Sequence, residues 1–230
     1  MEEAKTRFRV VNTIVEQGHI FPVGIIREIC YLQFRCLCEI IALGCLTAHG
    51  DVTQSKFLKK TYEPGKILKA LDSLKDIHYY PQPSDVVATE RGRGFIARPD
   101  RNHLTKSEVT TLWNLSGDVL HRAPLTKIRG PRRRGPADLS GINEWGAKLT
   151  GLLNCHWITI DKNRKGIMVY LATEPNGPAG AELFRFDNKN QVAEVLRVKA
   201  PLPRKRQPSR QPDAPQTQKK QPQPPSPSGE

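Results

Sequence analysis

Apolar positions recur at helical spacing through the first third of the chain. Phe8, Val11, Ile14 and Val15 predict a helix over residues 4–17, ended near Gly18. From Val23 to Leu46 the chain is apolar nearly all round, broken only by a narrow stripe of Glu28, Tyr31, Arg35, Glu39 and Ala42 at steps of three and four. That pattern predicts a central core helix with the stripe facing water, Arg35 and Glu39 pairing along it. Two shorter helical patterns follow, near 52–60 and 64–76, the second opened by Pro64 and burying Ile67, Leu68, Leu71 and Leu74.

Beyond Pro81 and Pro83 the period changes. Val86-Val87-Ala88-Thr89 and Phe95-Ile96-Ala97 flank Glu90-Arg91-Gly92-Arg93-Gly94, which predicts a hairpin over 86–97 with a glycine-rich basic tip. Thr105 and Glu108 form a capping box, with Leu104 placed to staple onto Val109, and start a helix that runs toward Arg122 with a weak point at Gly117. Leu139, Ile142, Trp145, Leu149, Leu152 and Leu153 predict another amphipathic helix. Trp157–Ile160 and Ile167–Leu171 then read as a hairpin around Asp161–Gly166, with a third strand at Ala181–Phe186.

These elements give an α+β chain. A helical unit spans 1–101, an α+β unit spans 102–199, and a tail over 200–230 is too rich in Pro, Gln and Ser to offset its ordering entropy. A long buried helix, two short helices and a basic-tipped hairpin also follow the element order of a winged helix-turn-helix. In that reading the 64–76 helix enters the major groove with Lys66, Lys69 and Ser73, and Arg91 and Arg93 reach phosphates from the wing. Asp72 and Asp76 interrupt the same exposed face.

Charge adds the functional lead. The formal net charge is +13, yet residues 1–90 balance, with 11 basic against 11 acidic side chains. Residues 91–136 carry 11 against 3, and the tail 6 against 2. The densest block, Lys127-Ile-Arg-Gly-Pro-Arg-Arg-Arg-Gly-Pro136, is arginine-dominated and bounded by Gly and Pro, which hold it in an extended loop over 127–136. The planar fork of Arg suits phosphate oxygens. Arg91, Arg93, Arg98, Arg101, Lys127, Arg129, Arg132, Arg133 and Arg134 are therefore the expected contacts to nucleic acid, DNA or RNA. The alternative is a scaffold module whose basic loop docks on an acidic protein. The loop lacks an apolar face to insert into a membrane.

Other chemistry is not expected. Cysteines at 30, 36, 38, 45 and 155 are odd in number and contain no Cys-x-x-Cys. Cys30, Cys38 and Cys45 share a helix face but stand roughly 10–12 Å apart, too far to grip one zinc ion. Free buried thiols fit a cytoplasmic protein without disulfides. Cys155 and His156 point to opposite faces of a strand, so they form no nucleophile–base pair. The loop beginning at Asp161 lacks EF-hand ligands, with Lys165 and Ala172 in ligand positions. Arg91–Arg98 only partly resembles an RNP1 strand, because Arg93 and Arg98 occupy aromatic positions. No cofactor or metal is implied, and the chain is expected not to be an enzyme unless scattered His and acidic residues converge in one pocket. No stretch of eighteen uninterrupted apolar residues predicts a membrane span.

Overall fold

In the computed structural model, residues 1–49, 61–74, 78–89, 92–121, 139–162, 165–171, 177–186 and 192–196 are described. Five helices and six strands lie among them: α1 (Glu2–Glu16), α2 (Val23–Ala48), α3 (Pro64–Leu74), β1 (Gln82–Thr89), β2 (Gly92–Ala97), α4 (Lys106–Leu120), α5 (Ser140–Leu153), β3 (Cys155–Thr159), β4 (Lys165–Tyr170), β5 (Gly180–Phe186) and β6 (Val192–Leu196). The fold is α+β, with one antiparallel sheet in the order β2-β1-β3-β4-β5-β6. The expected helix at 52–60, the tip residue Arg91, the basic loop and the tail lie outside the described residues. By internal contacts the chain divides after Val198, and residues 199–230 form a separate unit.

The helices share one core. Phe34, Leu37, Cys38 and Ala42 of α2 are fully buried, together with Ala4, Ile67, Leu71, Val109, Leu112, Leu149 and Leu152 from the other helices. Each such aliphatic or aromatic side chain contributes roughly 1.5–3 kcal/mol on leaving water. Residues on both sides of position 101 build this core, and β1 pairs with β3 across the same point.

Helix α2 is oriented differently from its sequence pattern. Tyr31 and Ala42, expected on the exposed stripe, are buried. Arg35 and Glu39 face α4, where the Arg35 guanidinium stacks 3.8 Å from the Trp113 ring centroid and Glu39 accepts a 2.9 Å hydrogen bond from Trp113 Nε1. The polar stripe thus serves an aromatic neighbour, and an apolar stripe containing Ile25, Leu32 and Leu43 faces solvent instead. By length and composition α2 could also cross a membrane, with a mean hydropathy of 1.7 and half of that stretch buried in the protein.

Helix α4 begins at the expected capping box: Thr105 accepts from Glu108 N and the Glu108 carboxylate accepts from Thr105 N. It runs through Gly117 without a break. Lys148 of α5 bonds Glu108 at 2.8 Å, and its carbonyl accepts from Leu104 N at 2.9 Å, so α5 lies against the start of α4. Gly151 makes that approach possible, because a Cβ there would collide with the Asn102 carbonyl. His49, at the end of α2, places Nδ1 2.8 Å from Cys45 O and Nε2 3.0 Å from Thr159 O, joining the helical core to β3.

The sheet is rolled. Phe95 of β2 and Phe184 of β5 meet edge to face with ring centroids 4.6 Å apart. They are four strand steps apart, which in a flat sheet is about 19 Å. Rolling encloses a second core of Phe95, Cys155, Trp157, Met168 and Phe184. The expected 86–97 hairpin is present, but β1 also pairs with β3 through Gln82 and Pro83, so it is built into the sheet and is not a free wing. Strand β6 follows β5 and was not anticipated from the residue pattern.

On β3, alternation sends Cys155 and Trp157 into the rolled interior and His156 toward the opposite face, where it is also buried. Burial pushes the His156 imidazole down to about 4, and its Nδ1 has no hydrogen-bond partner among the described residues.

Two outcomes follow from this packing. Gly151→Ala should lower unfolding free energy by about 1–3 kcal/mol in urea titration, because the backbone clash outweighs the roughly 1 kcal/mol helical preference for Ala. For His156, the unfolded chain takes up a proton near the ordinary imidazole value of 6.5, whereas the native state resists until about 4 as the pH falls. Stability should therefore fall between those limits by up to about 1.4 kcal/mol per pH unit. His156→Leu should flatten that part of the profile relative to wild type.

Candidate nucleic-acid interface

Strand β2 is an edge of the sheet, and the chain leaving it carries the described part of the expected basic surface. Arg98 N donates to Pro83 O at 2.7 Å, which carries the β1–β2 ladder one residue beyond Ala97. Arg98 Nε then meets Asp85 Oδ2 at 2.7 Å, while Arg101 binds Asp85 Oδ1 and also donates to Ser84 O at 3.1 Å. One carboxylate thus holds two guanidiniums, and Asp100 adds a second negative charge near Arg98. The hydrogen bonds from Arg98 and Arg101 keep the Asp85 carboxyl below its usual range, and Asp85 in turn raises Arg98. The Arg98 side chain is 45% exposed, so its guanidinium retains a face toward solvent.

Of the remaining expected contacts, Arg93 lies in β2 opposite Ala88 in the hairpin register. Arg91, Lys127, Arg129, Arg132, Arg133 and Arg134 lie outside the described residues. Asp85 itself was missed by sequence reasoning. The hairpin register carried the signal: Asp85 stands opposite Ile96, and Arg98, two residues further on, is its diagonal neighbour.

Beside these arginines a half-open cleft of about 430 Å³ lies between α3, the approach to β1, the residues after β2 and the start of α4. Pro81, Pro83 and Pro99 line it, together with His78, His103 and Lys106. Tyr79 anchors one wall, its single hydroxyl proton shared between Leu68 O at 2.7 Å and Asp72 Oδ1 at 2.9 Å. Tyr80 donates to Leu104 O at 2.7 Å. Partial burial raises the Asp72 carboxyl, but the hydrogen bonds from Lys106 and Tyr79 outweigh it and leave the group below its usual range. Burial and the neighbouring Asp72 push the Tyr79 phenol up.

Asp72, His78 and His103 therefore converge on one cleft, as a dispersed catalytic site would require. One ring nitrogen of each histidine and Oδ1 of Asp72 are engaged, however. His103 Nδ1 lies 2.6 Å from Arg101 O, His78 Nδ1 lies 3.0 Å from Gln82 Nε2, and Asp72 is paired with Lys106 at 2.7 Å. The flat proline and imidazole walls can receive a planar group, and Lys106 and Arg98 can attract an anionic one. Among the described residues no three His, Cys, Asp or Glu side chains are placed to hold a metal ion. The five cysteines are free thiols, and all but Cys36 are buried.

Comparison with protein-family models, curated proteins and solved structures finds no match for this chain.

Tyr79→Phe removes both hydroxyl bonds at the cleft wall. It should lower stability by about 1–2 kcal/mol in chemical denaturation. The Asp72 titration, followed by NMR, should move upward as one of its donors is lost.

Proposed function

We propose that this chain is a non-enzymatic nucleic-acid-binding protein that holds its ligand mainly through arginine–phosphate electrostatics. The observation that carries the reading is the concentration of charge over residues 91–136, 11 basic side chains against 3 acidic, in a chain whose first 90 residues balance. Arg98 and Arg101 support it from the edge of the sheet: Asp85 fixes both guanidiniums in place, and the Arg98 side chain remains 45% exposed. The adjoining cleft suits an unstacked base, with imidazole and proline surfaces to lie against.

In its finer form the reading treats α2, α3 and the β1–β2 hairpin as a winged helix-turn-helix, with α3 in the major groove through Lys66, Lys69 and Ser73. The Lys106–Asp72 pair favours this form, because it neutralises an acid on the exposed face of α3. The pairing of β1 with β3 weighs against it, since a wing is ordinarily free. The second reading, a basic loop docking on an acidic protein, rests on the same charge block and is separated by co-purification of a stoichiometric acidic protein that survives nuclease treatment.

Fluorescence titration of labelled single-stranded and duplex oligonucleotides over a range of salt concentrations tests the proposal. Affinity should fall with salt at a slope near −0.9 per neutralised phosphate on duplex DNA. Replacing Arg132, Arg133 and Arg134 together by Ala should flatten that slope, and Arg98→Ala should reduce it by about 1. Asp85→Asn should tighten binding at low salt by releasing a matched charge. Absence of binding at low salt, or a slope indifferent to the triple substitution, rejects the reading.

A further inference from the structure

Six large apolar side chains on α1, α2 and the turn between them are exposed: Val10, Ile20, Phe21, Ile25, Leu32 and Leu43. On α2 they extend a continuous stripe. Ile25, Ile29, Leu32, Cys36, Ile40 and Leu43 follow one another at steps of 4, 3, 4, 4 and 3 residues. At 100° per residue they fall within a sector about 80° wide, running about 27 Å from Ile25 to Leu43. Ile25 is 41% exposed, Leu32 44% and Leu43 42%, values that burial in a core would have removed.

The neighbours on either side explain why this face is open. On one flank Arg7 of α1 donates to Gln33 Oε1 at 3.0 Å. On the other, Arg35 and Glu39 turn to Trp113 of α4. Both flanking helices are thus held by the polar residues beside the stripe, and the stripe itself lies between them with no side chain charge inside it. An a/d-like spacing of this kind is what a partner helix packs against.

We infer that this face of α2 is the interface of a homodimer, in which α2 of one copy lies antiparallel to α2 of a second. The spacing is nearly the same read from either end: reversal about position 34 places Ile25 opposite Leu43 and Leu32 opposite Cys36, and brings Ile29 within one residue of Ile40. A two-fold contact requires this self-complementarity, because each residue meets its counterpart's counterpart. Charge points the same way. Residues 1–90 carry 11 basic and 11 acidic side chains, so nothing there attracts an anionic lipid surface or an acidic segment. A neutral, apolar, self-matching seam fits a second copy of the same chain.

The experiment is light scattering coupled to size exclusion on nuclease-treated full-length protein at high salt, which removes association bridged by nucleic acid. The expected mass is twice the 25.9 kDa of one copy. Leu32→Glu should return it to one copy with an unchanged circular dichroism spectrum, whereas Tyr62→Ser, at an exposed aromatic elsewhere, should leave the dimer intact. Cys36 gives a readout that needs no disruptive variant, since the other four cysteines are buried. A short bis-maleimide should join two wild-type chains and fail to join Cys36→Ser chains. A single-copy mass at tens of micromolar, a dimer that survives Leu32→Glu, or absence of Cys36 cross-linking overturns the inference. Flotation with neutral phosphatidylcholine vesicles that is lost in Leu32→Glu overturns it in favour of a lipid surface.

Discussion

The stacking of Arg35 on Trp113, closed by the Trp113–Glu39 hydrogen bond, sets the orientation on which the rest of the fold depends. Helix α2 is apolar enough to bury almost any face. Its few polar groups decide the rotation: the cation and the carboxylate both need partners when partly desolvated, and the indole offers a π face to one and an N–H to the other. Turning them toward α4 carries Phe34, Leu37 and Cys38 into the core. Helix α4 in turn positions Glu108 for Lys148, which brings α5 onto the loop before α4. Through Tyr80 and Leu104 the same chain of contacts reaches the cleft.

Most element types were legible because they rest on local rules. Proline at the start of α3, the Thr105–Glu108 box and the alternating runs of β3, β4 and β5 announce themselves without tertiary information. The rotation of α2 was not legible. Periodicity identifies a stripe, but it does not say whether water or an aromatic neighbour 78 residues away will satisfy it. The rolled sheet was hidden for a related reason, since the Phe95–Phe184 contact joins strands that no local pattern associates. The candidate site was legible as charge and not as geometry. Arg98 and Arg101 could be counted as cations, but the single carboxylate that restrains them both became evident only with the β1–β2 register.

Charge in the described fold is extensively matched. Arg7 pairs with Glu3, Lys66 with Glu63, Lys106 with Asp72, and Lys148 with both Glu108 and Glu144. Exposed pairs of this kind are worth little individually. Their larger effect is on the field around the molecule: a cation beside a carboxylate projects weakly beyond a Debye length. The positive charge that the sequence concentrates over residues 91–136 consequently stands against a nearly neutral first third of the chain.

The first turn of α1 is tied to the beginning of β5: Lys5 Nζ donates to Gly177 O, and Ala179 N donates to Glu2 Oε1 at 2.6 Å. These bonds span 172 and 177 residues of chain. Helix α1 can pack on α2 as soon as both are made, but these two bonds need a segment far downstream. Closing so large a loop is an entropic cost met late, and such non-local pairings slow folding. The anchoring of α1 to the residues before β5 is therefore the least local part of its packing, whereas its contact with α2 needs only neighbouring chain.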